Sequence, residues 1–390
     1  MITVQTADNA LKSFYLDAVN NSIDMKANPL LAEIEKTSKD VYGKDVRKVV
    51  RFGFNGGIGA GTETGDLPAA STNGHGVFIA TLKNLYGTLQ ISDKALRAAQ
   101  GGEGAFVDIL NDEMQSLIKT SSFNFGRMLY GDGTGKVAKI MTITSEHIVV
   151  ENTNNLAEGM VIYLCDPEGV YNSSVGPKKI VSIDRAKKTV LLDDMDGVTS
   201  NNFGVGSIMS LTIEKDCEIT GLEAIFSNSE TLYGVDRSTN GMLKPYTYSC
   251  SEPTETDIQK AMDIIEESSG SRVNFIVCSG GVKRALAKKL REDNVAMPTM
   301  ELNSGYKAMS FNGVPIVADR FCPAGTMYLL NTDDFKLHQL CDWDWLEGED
   351  GKVLKQVPGK PVYTATLVKY AELLCERPSG QGKIYDITEA

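Results

Sequence analysis

Histidine and cysteine side chains can ligate metals and act in catalysis, and this chain has three histidines and seven cysteines. His75, His147 and His338 have no second histidine or cysteine at a metal-ligand spacing, so we predict surface or strand positions and no metal site. The seven cysteines lie far apart, without a C-x-x-C pair, and most of them occur in apolar runs. This pattern is typical of buried, unreactive thiols in a reducing compartment.

Two glycine-rich stretches could in principle bind phosphate. GDGTGK (131–136) resembles a phosphate loop, but it lacks the first glycine at the required distance and follows a predicted helix. Val137 stands where that motif needs a magnesium-binding hydroxyl. GGIGAGTETG (56–65) has no G-x-G-x-x-G register opening a helix. Neither stretch supports nucleotide binding, and no cofactor is predicted.

Two further motifs could carry catalysis. Ser279 in VCSGGV lacks the glycine that precedes a nucleophile-elbow serine by two residues, so a helix cap explains it better. Asp342 and Asp344 in CDWDWLE would share one face of a strand and could do acid-base chemistry. Trp343 and Trp345 would occupy the other face, which favours a half-buried structural strand. We therefore predict no catalytic residue and no enzyme activity.

The tract at 51–65, RFGFNGGIGAGTETG, holds six glycines between two strand-like runs. The glycines are expected to supply left-handed backbone freedom, and the connection of about 20 residues is expected to be functional or ordered by a partner. A disordered surface hairpin is the alternative. The predicted strand residues are Val49, Val50, Phe52 and Phe54 before the tract, and Val77, Ile79, Leu85, Leu89 and Ile91, all on one face, after it.

A long helix should follow this hairpin. Apolar residues recur at three-four spacing from Glu103 to Tyr130, between glycines on either side. Such a helix would be about 40 Å long. The apolar positions keep no heptad over several repeats, so a helix packed on a sheet is favoured over a coiled coil. Before the hairpin, short helices are predicted at 11–18 and 29–37.

The remaining chain predicts a small barrel and a mixed α/β region. Five short strands are expected in a barrel inserted at 137–213, namely 140–150, 160–166, 178–185, 188–194 and 206–213. Beyond it, Thr256 and Gln259 could form a capping box, Val273–Cys278 a buried strand, and Ser279 the cap of a second helix. A long alternating strand should end at Arg377.

Composition limits the partners. The net charge is −12, from 39 basic and 51 acidic residues, so the overall field disfavours tight nucleic-acid binding. The densest basic clusters, around 44–51 and 283–291, are expected to be local patches, the second of them solvated or facing another subunit. No signal segment and no apolar run of about 20 residues is present, so we expect a soluble chain made in the cytoplasm, without a membrane partner.

The order of these elements resembles the tailed-bacteriophage major capsid protein, the Hong Kong 97-like fold. The local similarities are NPLLAEIEK, LYGDGTGK after the helix, FNGVPIVADRF, and the strand from Tyr370 to Pro378. The resemblance implies an α+β fold divided as follows: N-terminal arm (1–45), extended-loop (E-loop) hairpin (46–95), spine helix of the peripheral domain (96–136), inserted β-barrel (137–213), axial domain (214–335), and return to the peripheral domain with a long C-terminal strand (336–390).

The resemblance also implies a function. The chain would self-assemble as pentamers and hexamers into an icosahedral virion shell around double-stranded DNA, which it would contact weakly and non-specifically. Portal protein would be a partner, as would decoration proteins and either a separate scaffolding protein or none. The hairpin would lie across a neighbouring subunit, burying its aromatic residues only in the assembly. Candidate contact residues are Phe52, Phe54, Gly56, Gly57, Gly59, Gly61, Gly65 and Phe78. An encapsulin shell and a mixed α/β enzyme are the alternatives.

Overall fold

The computed structural model describes residues 28–53, 55–94, 105–200, 202–238, 240–292, 299–301, 307–348, 351 and 353–389. The chain divides into two compact units. The first contains the described residues of Met1–Ala32, Lys83–Ala224 and Cys341–Tyr370. The second contains those of Glu33–Leu82, Ile225–Leu340 and Ala371–Ala390.

The described residues form both helices and strands. The helices are α1 (Pro29–Glu33), α2 (Ala105–Tyr130), α3 (Leu222–Ile225), α4 (Glu255–Ser269) and α5 (Gly280–Glu292). The strands are β1 (Glu35–Thr37), β2 (Val41–Tyr42), β3 (Asp45–Phe52), β4 (Gly74–Thr81), β5 (Lys83–Ser92), β6 (Lys136–Ile143), β7 (Ile148–Val150), β8 (Val161–Cys165), β9 (Lys178–Asp184), β10 (Thr189–Leu192), β11 (Ile208–Ser210), β12 (Thr231–Leu232), β13 (Val235–Asp236), β14 (Tyr246–Ser249), β15 (Phe275–Cys278), β16 (Thr299–Glu301), β17 (Lys307–Phe311), β18 (Val314–Ala318), β19 (Met327–Leu330), β20 (Phe335–Trp345), β21 (Lys355–Gln356), β22 (Val362–Cys375) and β23 (Gly382–Tyr385).

The long helix α2 is the rigid element of the first unit. Its 26 residues span about 39 Å at 1.5 Å per residue. Met114, Ile118, Phe125 and Leu129 are buried at the spacing of one helical face, which confirms the predicted amphipathic helix. It ends where Gly131 donates its amide to the Met128 carbonyl at 3.0 Å. No helix in the described part of the chain is both long and apolar enough to cross a bilayer.

A five-stranded sheet has the order β1-β20-β22-β21, with β5 paired to β22. Residues on β5 alternate between buried and exposed, and Leu85 and Leu89 point inward. On β20, Trp343 and Trp345 are each only 4% exposed. The predicted half-buried strand at CDWDW is therefore confirmed.

The inserted domain is a closed barrel of six strands in the order β10-β7-β6-β11-β8-β9. Its interior is filled by apolar side chains such as Ile148, Leu164, Val190 and Met209. The prediction of five strands is corrected, because residues 140–150 turn back on themselves instead of continuing as one strand. Thr144 and His147 close that turn through a hydrogen bond of 2.9 Å between the Thr144 amide and the His147 carbonyl.

The second unit is built on a seven-stranded sheet with the order β14-β23-β19-β15-β18-β17-β16. Helices α4 and α5 supply Ile258, Ile265, Val282 and Leu286 to its core. The cap of α4 is corrected from Thr256 to Thr254. The Thr254 side chain accepts a hydrogen bond from the Asp257 amide, and Asp257 accepts one from the Thr254 amide.

The two ends of the described chain differ from the prediction. The helix expected over 29–37 stops at Glu33, and residues 35–37 form β1, paired in parallel with β20. A short helix contributes little stability by itself, so residues 35–37 pair with the existing sheet instead of extending the helix. Strand β23 lies between β14 and β19, so residues 336–390 do not all return to the part that contains α2. The helix expected at 11–18 lies outside the described residues.

Candidate intersubunit surface

The predicted strand, loop and strand at 46–95 contain a regular antiparallel hairpin. Strands β3 and β4 pair over eight successive positions, from Asp45 opposite Thr81 to Phe52 opposite Gly74. The described residues of 53–73 connect the two strands without forming a strand themselves. The hairpin is therefore the structural frame that carries the glycine-rich tract.

One face of the hairpin is packed within the second unit. Phe78 is completely buried, and its ring centroid lies 5.4 Å from that of Tyr233. The Tyr233 hydroxyl donates a hydrogen bond of 3.0 Å to the Leu373 carbonyl, which fixes the ring beside the strand. The hypothesis that Phe78 is buried only in an assembly is therefore wrong. Nothing is described for the Phe52 side chain or for Phe54.

The other face of the hairpin exposes apolar residues. Val49 is 65% exposed and its cross-strand partner Val77 is 46% exposed, while Ile79 is 47% exposed. The prediction placed Val77 and Ile79 on the same face as Leu85 and Leu89. The strand instead breaks at Leu82, whose amide donates a hydrogen bond of 2.8 Å to the Lys44 carbonyl. The alternation of buried and exposed side chains reverses at this point.

The glycines of the tract act differently from the prediction. Among the described glycines between 53 and 65, Gly53 alone has a left-handed φ, +79°. At Gly56, Gly57, Gly59 and Gly65 a methyl group would crowd the loop, whereas at Gly61 it would meet only an ordinary contact at 3.7 Å from the Asp66 carbonyl. A Cβ on Gly59 would lie 3.0 Å from the Pro68 ring, and one on Gly65 would lie 2.6 Å from Thr62. These glycines therefore allow close approach within the loop instead of unusual dihedral angles.

Two apolar side chains of this loop were missed by sequence reasoning. Ile58 is 87% exposed and Leu67 is 90% exposed, more than any other large hydrophobic side chain in the described part of the chain. They are isolated apolar residues within a glycine-rich and polar stretch, and that isolation is the signal that could have identified them. The candidate glycines Gly56, Gly57, Gly59, Gly61 and Gly65 surround them on the same loop.

Charges at the base of the hairpin are partly neutralised. Lys48 forms ion pairs with Asp40 at 3.0 Å and Glu376 at 3.3 Å. The hydrogen bond to Asp40 raises the pKa of Lys48 above its ordinary value. Arg47 lies 3.9 Å from the Asp45 carboxylate, but its side chain is 60% exposed on the outer face. The basic cluster around 44–51 is therefore divided between a structural ion pair and an exposed face.

The candidate catalytic motifs have structural roles. Ser279 accepts a hydrogen bond from the Val282 amide at 3.3 Å, which confirms the predicted cap of α5, and its hydroxyl donates to Glu389. In GDGTGK, the Asp132 carboxylate accepts from the Thr134 amide at 3.0 Å and closes the turn from α2 into the barrel. Among the described residues, no three acidic, histidine or cysteine side chains form a group able to hold a metal.

The cysteines form no disulfide. Cys165, Cys278, Cys322 and Cys375 are buried. Burial raises the pKa of Cys278 to about 12 and holds the pKa values of Cys322 and Cys375 well above their usual range. Such thiols are poor nucleophiles, as the apolar sequence runs predicted.

The fold of this chain is similar to that of a solved capsid chain. A chain of the cyanophage A-1(L) capsid asymmetric unit aligns with a TM-score of 0.56 and 13% sequence identity, covering 93% of both chains. This alignment confirms at the level of the fold the resemblance to bacteriophage capsid proteins. The sequence itself matches no family model and no curated protein.

Two further solved structures are similar over most of their length. A chain from the capsid of a native GTA particle has a TM-score of 0.49 and 11% identity, covering 94% of this chain and 92% of that one. A chain of the holo-SrpI encapsulin complex from Synechococcus elongatus has a TM-score of 0.48 and 10% identity, covering 93% and 89%. At these identities the comparisons concern architecture, and residue roles have to be argued from this chain.

Proposed function

We propose that this chain is the major capsid protein of a tailed bacteriophage. It would assemble as pentamers and hexamers into an icosahedral shell that encloses packaged double-stranded DNA. The observation that carries this proposal is the capsid fold shared with the cyanophage chain over nearly the whole length of both proteins. In the vocabulary of the Hong Kong 97-like fold, the hairpin within 46–95 would be the extended loop, α2 the spine helix, and the seven-stranded sheet part of the axial domain.

The physical properties of the chain suit that role. A shell subunit must meet equivalent neighbours in rings of five and six, which requires stiff parts and an element that adjusts. The long helix and the sheets provide stiffness, and the exposed loop at 53–73 provides adjustment. The net charge of −12 suits a container that encloses DNA without binding it tightly. Portal protein, decoration proteins and any separate scaffolding protein would be the other partners in the virion.

Electron microscopy of the purified protein tests the proposal directly. We expect icosahedral shells or ring-shaped capsomers by negative stain, and DNA inside particles taken from an infected host. Particles filled with a protein cargo would favour an encapsulin shell. A discrete small oligomer that turns over a substrate would refute the capsid proposal.

A deletion tests the role of the loop within that function. Removing residues 56–74 should leave soluble monomers or capsomers, because the loop would no longer reach a neighbour. A full-length variant carrying Thr62→Ala and Thr64→Ala keeps the length of the loop and serves as the control. Normal shells from the deletion variant would show that the loop is not needed for assembly.

A further inference from the structure

The segment that follows β23 binds over the N-terminus of α5, and we call residues 386–389 the tail. The Glu389 carboxylate accepts hydrogen bonds from the Ser279 hydroxyl and from the Gly325 amide, the second of them at 2.8 Å. Ser279 is only 5% exposed, whereas Glu389 is exposed. The carboxylate is therefore bound at the surface by two donors that belong to the same unit as the tail.

The first turn of α5 leaves room for this carboxylate. A Cβ on Gly281 would overlap the Glu389 side chain, so the absence of a side chain at this position is required. The N-terminus of a helix of 13 residues also carries partial positive charge and unpaired amides, which favour an anion. These groups form a carboxylate-binding site, which we call the tail site and define as Ser279, Gly281 and Gly325.

The rest of the tail is held by its main chain and by one apolar side chain. The Thr388 amide donates to the Ser251 carbonyl at 2.8 Å, and the Ile387 amide donates to the Gly325 carbonyl at 3.0 Å. Ile387 is 5% exposed and packs in the core of the second unit, whereas Thr388 is exposed. An open cavity of about 280 Å³ lies between the tail, α5 and Ser251. The tail is therefore bound beside solvent, as a short peptide ligand would be.

Asp386 connects the tail to β23 in an unfavourable backbone conformation. Its φ is +62°, in the left-handed region that costs energy for residues other than glycine. The Ser249 hydroxyl donates to the Asp386 carboxylate at 2.8 Å and holds this turn. A strained hinge before a short segment favours exchange of that segment between copies. The extended hinge relieves the strain, while the segment makes identical contacts in the other copy.

We propose that neighbouring copies exchange their tails, so that Ile387 and Glu389 of one subunit bind at the tail site of the next. The tail site already binds this sequence, so the tail of a second copy fits it without any new kind of contact. Tail and tail site are different surfaces, and repeated contacts between different surfaces close into rings when the rotation allows it. This inference rests on the proposed capsid function, which brings the copies together, and adds a connection between them.

Disulfide formation between two different variants tests the exchange. One chain carries Ser251→Cys, the other carries Thr388→Cys, and the two are co-expressed and assembled. These residues are joined by a main-chain hydrogen bond, which brings their Cα atoms within the separation of about 7 Å that a disulfide requires. Oxidised glutathione accepts the two electrons released as the thiols join. We expect covalent dimers in at least one-fifth of the chains on non-reducing gels, because a tail bound in its own subunit cannot bring the two cysteines together.

Matched variants assign the dimer to the tail site. Both chains also carry Cys250→Ser, which removes the native thiol next to Ser251. Glu389→Gln in the chain with Thr388→Cys should lower the dimer fraction at least three-fold, because it removes the charge that the tail site binds. Glu267→Gln, at an exposed position on α4, should leave the fraction unchanged. Dimers from either cysteine variant alone, or equal dimer fractions with and without Glu389→Gln, would overturn the proposal.

Substitutions at the hinge provide a second measurement. Asp386→Val disfavours the left-handed conformation and should raise the dimer fraction, whereas Asp386→Gly adopts it freely and should lower the fraction. The reverse order would contradict the exchange. Shells in which Ser251→Cys and Thr388→Cys form a disulfide only within one chain would refute the exchange and leave the capsid function intact. Failure of the wild-type protein to form any particle would refute the capsid function and, with it, the exchange.

Discussion

Arg127 connects the long helix to both ends of the inserted barrel. Its guanidinium forms an ion pair with Glu218, which follows the barrel, and both side chains are only 2% exposed. It also donates to the Lys136 carbonyl at 3.4 Å, where the barrel begins, and to Asn124 on its own helix at 2.8 Å. We predict that Arg127→Met strongly destabilises the first unit.

The magnitude follows from the burial of the pair. Removing one partner leaves the Glu218 carboxylate buried without its counter-charge, which costs about 3–5 kcal/mol of unfolding free energy. Replacing both partners, as in Arg127→Met with Glu218→Met, removes the uncompensated charge. Such double replacements are often close to neutral, so most of the lost stability should return. The expected coupling between the two sites is therefore at least about 2 kcal/mol.

Urea unfolding of the unassembled subunit, followed by tryptophan fluorescence, measures this effect. Trp343 is a suitable reporter because its ring lies 6.5 Å from that of Phe125 on the same helix. Lys187→Met is the matched control, since its pair with Asp184 is exposed and should contribute less than about 1 kcal/mol. If the double variant is as unstable as Arg127→Met, the loss comes from packing and the ion-pair argument fails.

Two further predictions concern the second unit. Phe78→Ala should lower the free energy of unfolding by about 3–5 kcal/mol, because the side chain is fully buried against Tyr233. Ile79→Ala on the exposed face should lower it much less. Equal losses of stability in urea unfolding would contradict a hairpin with one buried and one exposed face. His338 should make stability pH-dependent, because burial lowers its pKa below 6.5 and its Nε2 atom has no hydrogen-bond partner among the described residues. The unfolded chain then binds the proton more tightly, so stability should begin to fall as the pH drops below about 6.5 and stop falling below the folded-state pKa. His338→Gln should flatten that part of the urea-midpoint profile, and an unchanged profile would exclude this histidine as the cause.

Sequence periodicity predicted the elements that bury one continuous face. The long helix and the strand at CDWDW were correct because their apolar residues keep one period over many positions. The prediction that Val77 to Ile91 share one strand face was wrong for a related reason. Leu82 interrupts the strand through a backbone hydrogen bond to Lys44, and no side-chain pattern records that break. Once the register shifts by one residue, every later side chain changes face.

The pairing of strands and charged residues far apart in the chain could not be predicted from the sequence. Residues 35–37 have no strong strand pattern, and they become β1 because β20 offers an edge, with the His338 Nδ1 atom 2.9 Å from the Lys39 carbonyl. Likewise, β23 pairs between β14 and β19 of the seven-stranded sheet, whereas β22, which precedes it in the sequence, belongs to the five-stranded sheet. The buried pair of Arg127 and Glu218 is separated by 91 residues, which places it beyond any local motif.

The glycine tract shows how the structure narrows a sequence-based prediction. The sequence suggested a joint distributed over the whole tract, because every glycine permits left-handed backbone. Among the described glycines of this tract, the left-handed backbone conformation occurs at Gly53, directly after the end of β3. The glycines farther along keep the loop narrow enough for its two legs to touch. A narrow loop that exposes Ile58 and Leu67 would present two apolar side chains with little bulk around them, which is what the proposed role between subunits requires.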